Sequence, residues 1–296
     1  MTSTVAIFGL SGFIGTALAE SLSDSGWIVK RPTSVSGDRI DIAGPVDELV
    51  ALIGGADVVV NAAGRAHIHS ADPGDFWPSN AIGAFHVAQA CKRAASVSRL
   101  VHVSSAAVGR GGLAPMVAEY EPVSAYGASK AAGELAVGAV FYDCDDTELV
   151  VVRPAGVSGI ESPGSWGTIR RRAAASSSIP VPNNEVRFDV IEIESVVSYI
   201  HSAVTGAVEP GVYSLAGAEP LTLQEYATEV AQQYQTSPRI VPVPHSLLRL
   251  AKVGAAQALR LARPVERIGQ LATTMTTQRP LMDLSRVDPD DLEVDQ

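Results

Sequence analysis

Cysteine is almost absent from the 296 residues: Cys91 and Cys144 are the only two. Two cysteines cannot build a disulfide framework, and neither stands in a paired spacing that reads as a metal or redox motif, so a reducing cytoplasm is the expected compartment. Positive charge is short as well, with 22 Lys and Arg against 32 Asp and Glu and a formal net charge of -10. Nucleic acids and anionic membranes call for Lys and Arg clustered on one face. The single basic cluster is Arg170, Arg171 and Arg172, so neither partner is expected. No stretch approaches the roughly 20 apolar residues of a membrane helix. There is no internal repeat and no low-complexity tract, and the opening MTSTVAIFGLSGFIG lacks the basic start and unbroken apolar core of a signal peptide.

What is present is an alternation of short apolar runs with longer helical patterns from Thr4 to about Arg153, the mark of parallel βαβ units. Buried strands are predicted at Val5 to Phe8, Trp27 to Lys30, Asp57 to Val60, Arg99 to Val103 and Leu149 to Arg153. After Pro154 the pattern changes. Gly, Ser and Pro cluster through residues 156 to 184, and short strands (VRFDVI, GVYSL, RIVPV) then alternate with helices at Leu223 to Tyr234 and Ser246 to Arg263. The expected fold is α/β: a Rossmann-type, doubly wound parallel sheet over residues 1–160, then a smaller mixed α/β substrate lobe over 161–296, some of whose segments can return to the sheet. The acidic, Pro-broken ending DLSRVDPDDLEVDQ is expected to be poorly ordered.

Gly9, Gly12 and Gly15 follow the first strand directly and open a helix, in the spacing G-x-x-G-x-x-G. The first glycine permits a tight turn, the second lets backbone approach a pyrophosphate and the third allows close helix packing, while the helix start offers free amides and a favourable dipole. The competing reading is a strand-to-helix turn with no ligand. A dinucleotide site would include Gly9, Gly12, Phe13, Ile14 and Gly15. The acidic residue expected about 20 positions on, to hold the ribose hydroxyls, is missing, and Lys30, Arg31, Pro32 and Thr33 stand there instead. The cofactor is therefore read as NAD(P), with Arg31 favouring NADP through its 2'-phosphate, although a solvated Arg31 explains the same letters. Asp41 and Ile42 either reach the adenine pocket or, for Asp41, cap the next helix.

Tyr126 and Lys130 stand four apart in AYGASK on a helical stretch and so share one face. A phenol near pKa 10 is a poor base at neutral pH, and a neighbouring ammonium or a positive nicotinamide ring favours its ionised form. Tyr126 would then serve as base for alcohol oxidation and as acid for carbonyl reduction. Lys130 would also bind the nicotinamide ribose. A surface pair is the competing reading until order along the chain is added: a glycine turn after one strand, Ser104 and Ser105 ending another, then Tyr126 and Lys130 opening the next helix. All lie where open α/β sheets bind ligands.

On these motifs the sequence resembles the extended short-chain dehydrogenase/reductase family, and within it the sugar-nucleotide epimerases and reductases. The resemblance rests on FGLSGFIG, VVVNAAG, NAIGAFHVAQAC, VHVSSAAVG, YGASK and VVRPAGVSG, covering most of residues 4 to 160, and continues more faintly through IEIESVVSYI and GVYSLAGAEPLTLQEYA. It implies that Ser105, rather than Ser104, hydrogen-bonds the substrate oxygen, with Tyr126 as acid/base and Lys130 as its partner. It further implies that Ala62 and Ala63 line the cofactor with their backbone, and that Pro154, Ala155 and Val157 border the nicotinamide. Asn80 is implied to hydrogen-bond backbone near the site, and a homodimer with a two-helix interface is implied as well. Three departures matter. Gly109 replaces a tyrosine and opens space. Ala106 and Ala107 replace the acidic pair of sugar dehydratases and leave no group to eliminate water. Gly156 replaces an asparagine that contacts the substrate diphosphate.

The resulting expectation is an NAD(P)-dependent enzyme passing hydride at a carbinol or keto carbon of a nucleotide-linked sugar. The alternatives are a reductase or dehydrogenase of a non-sugar carbonyl, favoured by Gly109 and Gly156, and a dinucleotide-binding regulator without turnover, which intact Tyr126 and Lys130 oppose. Arg187 is either a contact to the substrate pyrophosphate or a surface arginine. At most one of Arg170 to Arg172 can face a site, since consecutive helical residues point apart. His67 and His69 have no third ligand at metal spacing, and His67 can simply border the cofactor. Leu247, Leu248, Ala251, Leu259 and Leu261 read as core or dimer face.

Overall fold

The computed structural model describes residues 3–32, 40–66, 73–109, 122, 124–144, 146–183 and 185–244. Its elements run β1 (Thr4–Phe8), α1 (Phe13–Asp24), β2 (Ile28–Lys30), α2 (Val46–Ile53), β3 (Val58–Asn61), α3 (Gly83–Arg93), β4 (Arg99–Val103), α4 (Ala125–Phe141), β5 (Glu148–Pro154) and β6 (Gly156–Ser158). Then follow α5 (Gly164–Ala174), β7 (Ile179–Pro182), β8 (Arg187–Phe188), β9 (Val190–Glu192), α6 (Ile193–Val204), β10 (Gly211–Leu215), β11 (Leu221–Thr222), α7 (Leu223–Gln233) and β12 (Ile240–Val243). His67, His69, the stretch from Ser246 to Arg263 and the acidic ending lie outside the described residues.

Six strands form one sheet in the order β10-β5-β4-β3-β1-β2, every neighbouring pair parallel. The cause is compositional. β3 and β4 are buried along their whole length and carry Val at five of nine positions, as strands covered by helices on both faces must. On one face α1 and α6 pack through Leu18, Leu22, Val196, Val197 and Ile200 against Val5, Ile7, Val60 and Val101. On the other, α2, α3 and α4 pack through Leu49, Ile53, Val87, Cys91 and Val137 against Ala6, Phe8, Val59 and Leu100. The chain turns from β1 to β2 on one side and to β3 on the other, so the crevice at the carboxyl end of β1 is the switch point at which such sheets bind ligands.

GVYSL, grouped by sequence with the second lobe, is β10 and pairs with β5 at the edge of the main sheet, while α6 joins the same body. VRFDVI is two strands rather than one: β8 pairs antiparallel with β11, and β9 pairs with β6. The remaining second-lobe elements close a separate core of Trp166, Ile169, Ile179, Phe188, Tyr226 and Val230. Thr222 and Glu225 form a reciprocal cap at the start of α7. Among the described residues no helix is long and apolar enough to cross a membrane, and no group of His, Cys, Asp or Glu could hold a metal ion.

Candidate functional site

The glycine turn is built by close approach. Gly9 has φ +83°, and a Cβ there would stand 2.5 Å from the Ala63 nitrogen and 2.6 Å from the Ala62 carbonyl carbon and oxygen. At Gly15 a Cβ would fall 2.2 Å from the Gly9 oxygen. Ala62 and Ala63 therefore pack with their backbone against the turn; the Ala62 amide donates to Phe8 O at 3.0 Å and that of Ala63 to Asn61 Oδ1 at 3.3 Å. Gly12 caps α1 with no side-chain acceptor, which leaves amides of the first turn free for an anion. Phe13 and Ile14 begin the helix, partly buried against its core. These residues fit a dinucleotide pyrophosphate.

Around this cradle the cofactor residues named from sequence divide. Pro154 ends β5 opposite Leu215, and Val157 lies on β6, paired with Ile191 of β9. Arg31 is exposed just past β2. Asp41 accepts from the Ala43 amide at 3.0 Å and so closes a local turn; it does not cap α2, whose N-cap is Pro45 with no side-chain acceptor. Ile42 is buried in the core between α2 and α3, its side chain against Gly83, because the chain dips inward there.

Tyr126, Ser105 and Lys130 converge at the carboxyl end of β4. Ser124 caps α4, its hydroxyl accepting from Gly127 N at 3.0 Å, and so fixes the first turn on which Tyr126 sits. Gly127 permits that approach, since a Cβ there would lie 2.2 Å from Ala107 O. The Tyr126 and Ser105 hydroxyls are hydrogen-bonded, and Ser105 Oγ also accepts from Ala107 N at 3.2 Å. The Phe76 ring meets Tyr126 edge-on at 5.9 Å. Ser104, the competing serine, is buried with its Oγ unpartnered among the described residues. One turn after Tyr126, Lys130 is 4% exposed and donates to Val103 O at 2.7 Å.

Burial holds the Tyr126 phenol above its ordinary value, opposed by the Ser105 hydrogen bond. In the protein alone desolvation is the larger of these two effects, and Lys130 is not among the groups that lower the phenol. The same burial brings Lys130 from 10.5 down to about 8, with Glu134 acting in the opposite sense. Between those two pH values the unfolded chain binds a proton that the folded chain does not, so stability rises with pH across that window, and the full cost is present below it. Relative to Lys130→Met, the native chain should gain about 3 kcal/mol of unfolding free energy between the two values, read by urea denaturation at each pH. A flat difference would mean a solvated Lys130.

Asn80 is buried in a π-helical turn, a local widening common at functional sites. It accepts from Arg65 N at 2.8 Å and donates to Arg65 O and Ser129 Oγ, both at 2.9 Å. The arginines are otherwise engaged: Arg187 with Glu225 and Pro220 O, Arg170 with Glu192 and Gln233, Arg171 with Ile160 O, and Arg172 with Ser178 O. Sequence reasoning missed three buried residues beneath the site. These are Glu134, Arg153 and His102, and the first was signalled by standing four residues after Lys130. It also missed what fills the space at Gly156: a Cβ there would lie 2.7 Å from Trp166 Nε1.

A model of the NAD dependent epimerase/dehydratase family matches residues 5–216. The chain belongs to that family. Its cofactor class is accordingly NAD(P) and its relatives are enzymes. It is 32% identical over 225 residues to a dTDP-4-dehydrorhamnose reductase of Mycolicibacterium smegmatis, a match spanning 74% of this chain and 65% of that protein, and so just under two thirds of the relative's length. It is 29% identical over 261 residues to a ceramide reductase of Caulobacter vibrioides, across 81% of this chain and 73% of that one. In fold it is similar to the dTDP-4-dehydrorhamnose reductase of Bacillus anthracis solved with NADP, at a TM-score of 0.69 and 20% identity over 83% of this chain and 86% of that one.

Proposed function

We propose that this family member is an NAD(P)-dependent oxidoreductase or epimerase that moves hydride at a carbinol or keto carbon of a nucleotide-linked sugar. The observation that carries the reading is the hydrogen-bonded pair of Tyr126 and Ser105 with Lys130 one turn on, at the sheet edge that also bears the glycine cradle. When bound, the nicotinamide supplies and accepts the hydride. Ser105 holds the substrate oxygen, and Tyr126 gives or takes its proton. Lys130 would hold the nicotinamide ribose, its charge favouring the phenolate. Gly9, Gly12, Phe13, Ile14, Gly15, Ala62, Ala63, Pro154 and Val157 hold the dinucleotide, and Arg31 favours NADP. Arg187, now paired with Glu225, would have to exchange that partner to reach a substrate phosphate. Ala106 and Ala107 leave no ionisable group for dehydration. A soluble cytoplasmic homodimer through the outer face of α4, where Leu135 is exposed, as is Tyr142 just past the helix end, completes the reading.

Incubation with UDP-, dTDP- and GDP-sugars and their 4-keto forms, followed by NMR, should show epimerisation or NAD(P)H-dependent reduction of one class. No change across the panel, with turnover of an apolar ketone, would replace this reading by the second one. That second reading, a reductase of a non-sugar carbonyl, is favoured by the Trp166 indole standing against Gly156, where a polar side chain would otherwise project.

A further inference from the structure

Beneath the site lies a buried ion pair that the proposed chemistry does not use. Arg153 ends the apolar run of β5 and is 0% exposed, and Glu134 on α4 is 3% exposed. The guanidinium Nε donates to both carboxylate oxygens at 3.0 Å, and Nη2 makes a further contact to Oε1. Taking two charges out of water is expensive, and apolar residues of similar volume often serve stability as well, so the fold alone does not call for this pair.

Its position is what distinguishes it. Glu134 stands one helical turn beyond Lys130, on the same face of α4. Arg153 lies on the strand next to β4, whose Val103 carbonyl accepts from the Lys130 ammonium. Lys130 is thus pinned to β4, with a buried carboxylate one helical turn along the same helix face and a guanidinium paired to that carboxylate.

We propose that the Glu134–Arg153 pair is a positioning device for Lys130. The carboxylate keeps the ammonium charged in a place that burial would neutralise, and Arg153 limits how much of that negative charge Lys130 meets. The inference rests on the proposed role of Lys130 beside Tyr126.

The other described groups around Lys130 do not supply this charge. From β4 comes His102, which burial and the Lys130 charge both hold neutral; Asn61 bonds its Nδ1 at 3.4 Å, and its Nε2 has no partner among the described residues. The turn at Gly64 and the π turn at Asn80 bring no carboxylate, Arg65 beside Gly64 being an exposed cation, and the short 106–108 turn is Ala106, Ala107 and Val108. Asp75, on the turn that carries Phe76, is exposed. Cys91, on α3, is buried and held protonated. That leaves Glu134 as the described anion that raises Lys130.

The test uses the full chain. It has four lysines, Lys30, Lys92, Lys130 and Lys252, so a 13Cε-lysine NMR titration gives four resonances, with Lys130 assigned by its loss in Lys130→Arg. Glu134→Gln removes the carboxylate and leaves the guanidinium, so the Lys130 midpoint should fall by about one unit or more. Arg153→Gln leaves the carboxylate uncompensated, so the midpoint should rise. Glu134→Asp disturbs packing but keeps the charge and should stay near the native midpoint. The alkaline limb of turnover should follow the same order. A purely structural pair would weaken the fold in all three variants without moving the midpoint in opposite senses. If Glu134→Gln fails to fold, the upward shift in Arg153→Gln is still required. Midpoints that coincide, or move together, overturn the inference. Full turnover in Tyr126→Phe would instead overturn the catalytic reading, so the two failures are separable.

Discussion

Tyr126→Phe should lose about a hundred- to ten-thousandfold in turnover while binding NAD(P) nearly as the native chain does, the range that one placed acid/base supplies. The substitution removes a single oxygen from a ring that is already held by Phe76 and by the first turn of α4, so the pocket keeps its shape. What is lost is the hydroxyl that bonds Ser105 and would meet the substrate oxygen. Titration calorimetry with NADP and steady-state rates on the best panel substrate read the two effects apart. Because burial holds the phenol high in the free protein, the proton it exchanges depends on positive charge arriving with the oxidised cofactor. Native-like turnover in Tyr126→Phe would remove the acid/base assignment whatever the substrate.

Gly15→Ala should weaken NAD(P) binding by about ten- to a hundredfold, which is what an overpacking penalty of about 1–3 kcal/mol becomes in affinity. The added methyl would lie 2.2 Å from Gly9 O and 2.9 Å from the Gly9 carbonyl carbon and Leu10 Cα, all backbone, so the turn itself must shift. Gly26, past the other end of α1, is the control. It also has positive φ, at +89°, but a Cβ there would meet nothing within 4 Å. Gly26→Ala should therefore cost about 1–2 kcal/mol of stability and leave binding unchanged. Equal loss of binding in both variants, by fluorescence titration with NADPH, would mean that α1 is merely destabilised and that the turn is not the phosphate seat.

The main sheet was legible for a physical reason: strands buried on both faces are largely apolar, as the Val-, Leu- and Ile-rich runs VAIF, DVVV, RLVHV and LVVVR are, with Arg99, His102 and Arg153 as buried exceptions. β10 was harder to place, because an edge strand that is only half buried along its length, as GVYSL is, reads the same in either lobe. The residues of the proposed site stood out because chemistry restricts their types and spacing. Their electrostatic setting was not, since Arg153 at the end of an apolar strand looks like a residue that leaves the core, yet it is buried against Glu134, 19 residues earlier. The placing of Ile42 met the same limit: only the folded chain shows that its side chain turns into the core. The role of Gly156 likewise depends on Trp166, which no spacing rule connects to it.

The most direct measurement is a crystal structure of the chain with NADP bound. The account predicts the pyrophosphate on the Gly9 to Gly15 turn, the Lys130 ammonium moved from Val103 O to the nicotinamide ribose, and the Tyr126 and Ser105 hydroxyls facing one point above nicotinamide C4. A dinucleotide bound elsewhere, or a nicotinamide turned away from Tyr126, would contradict it.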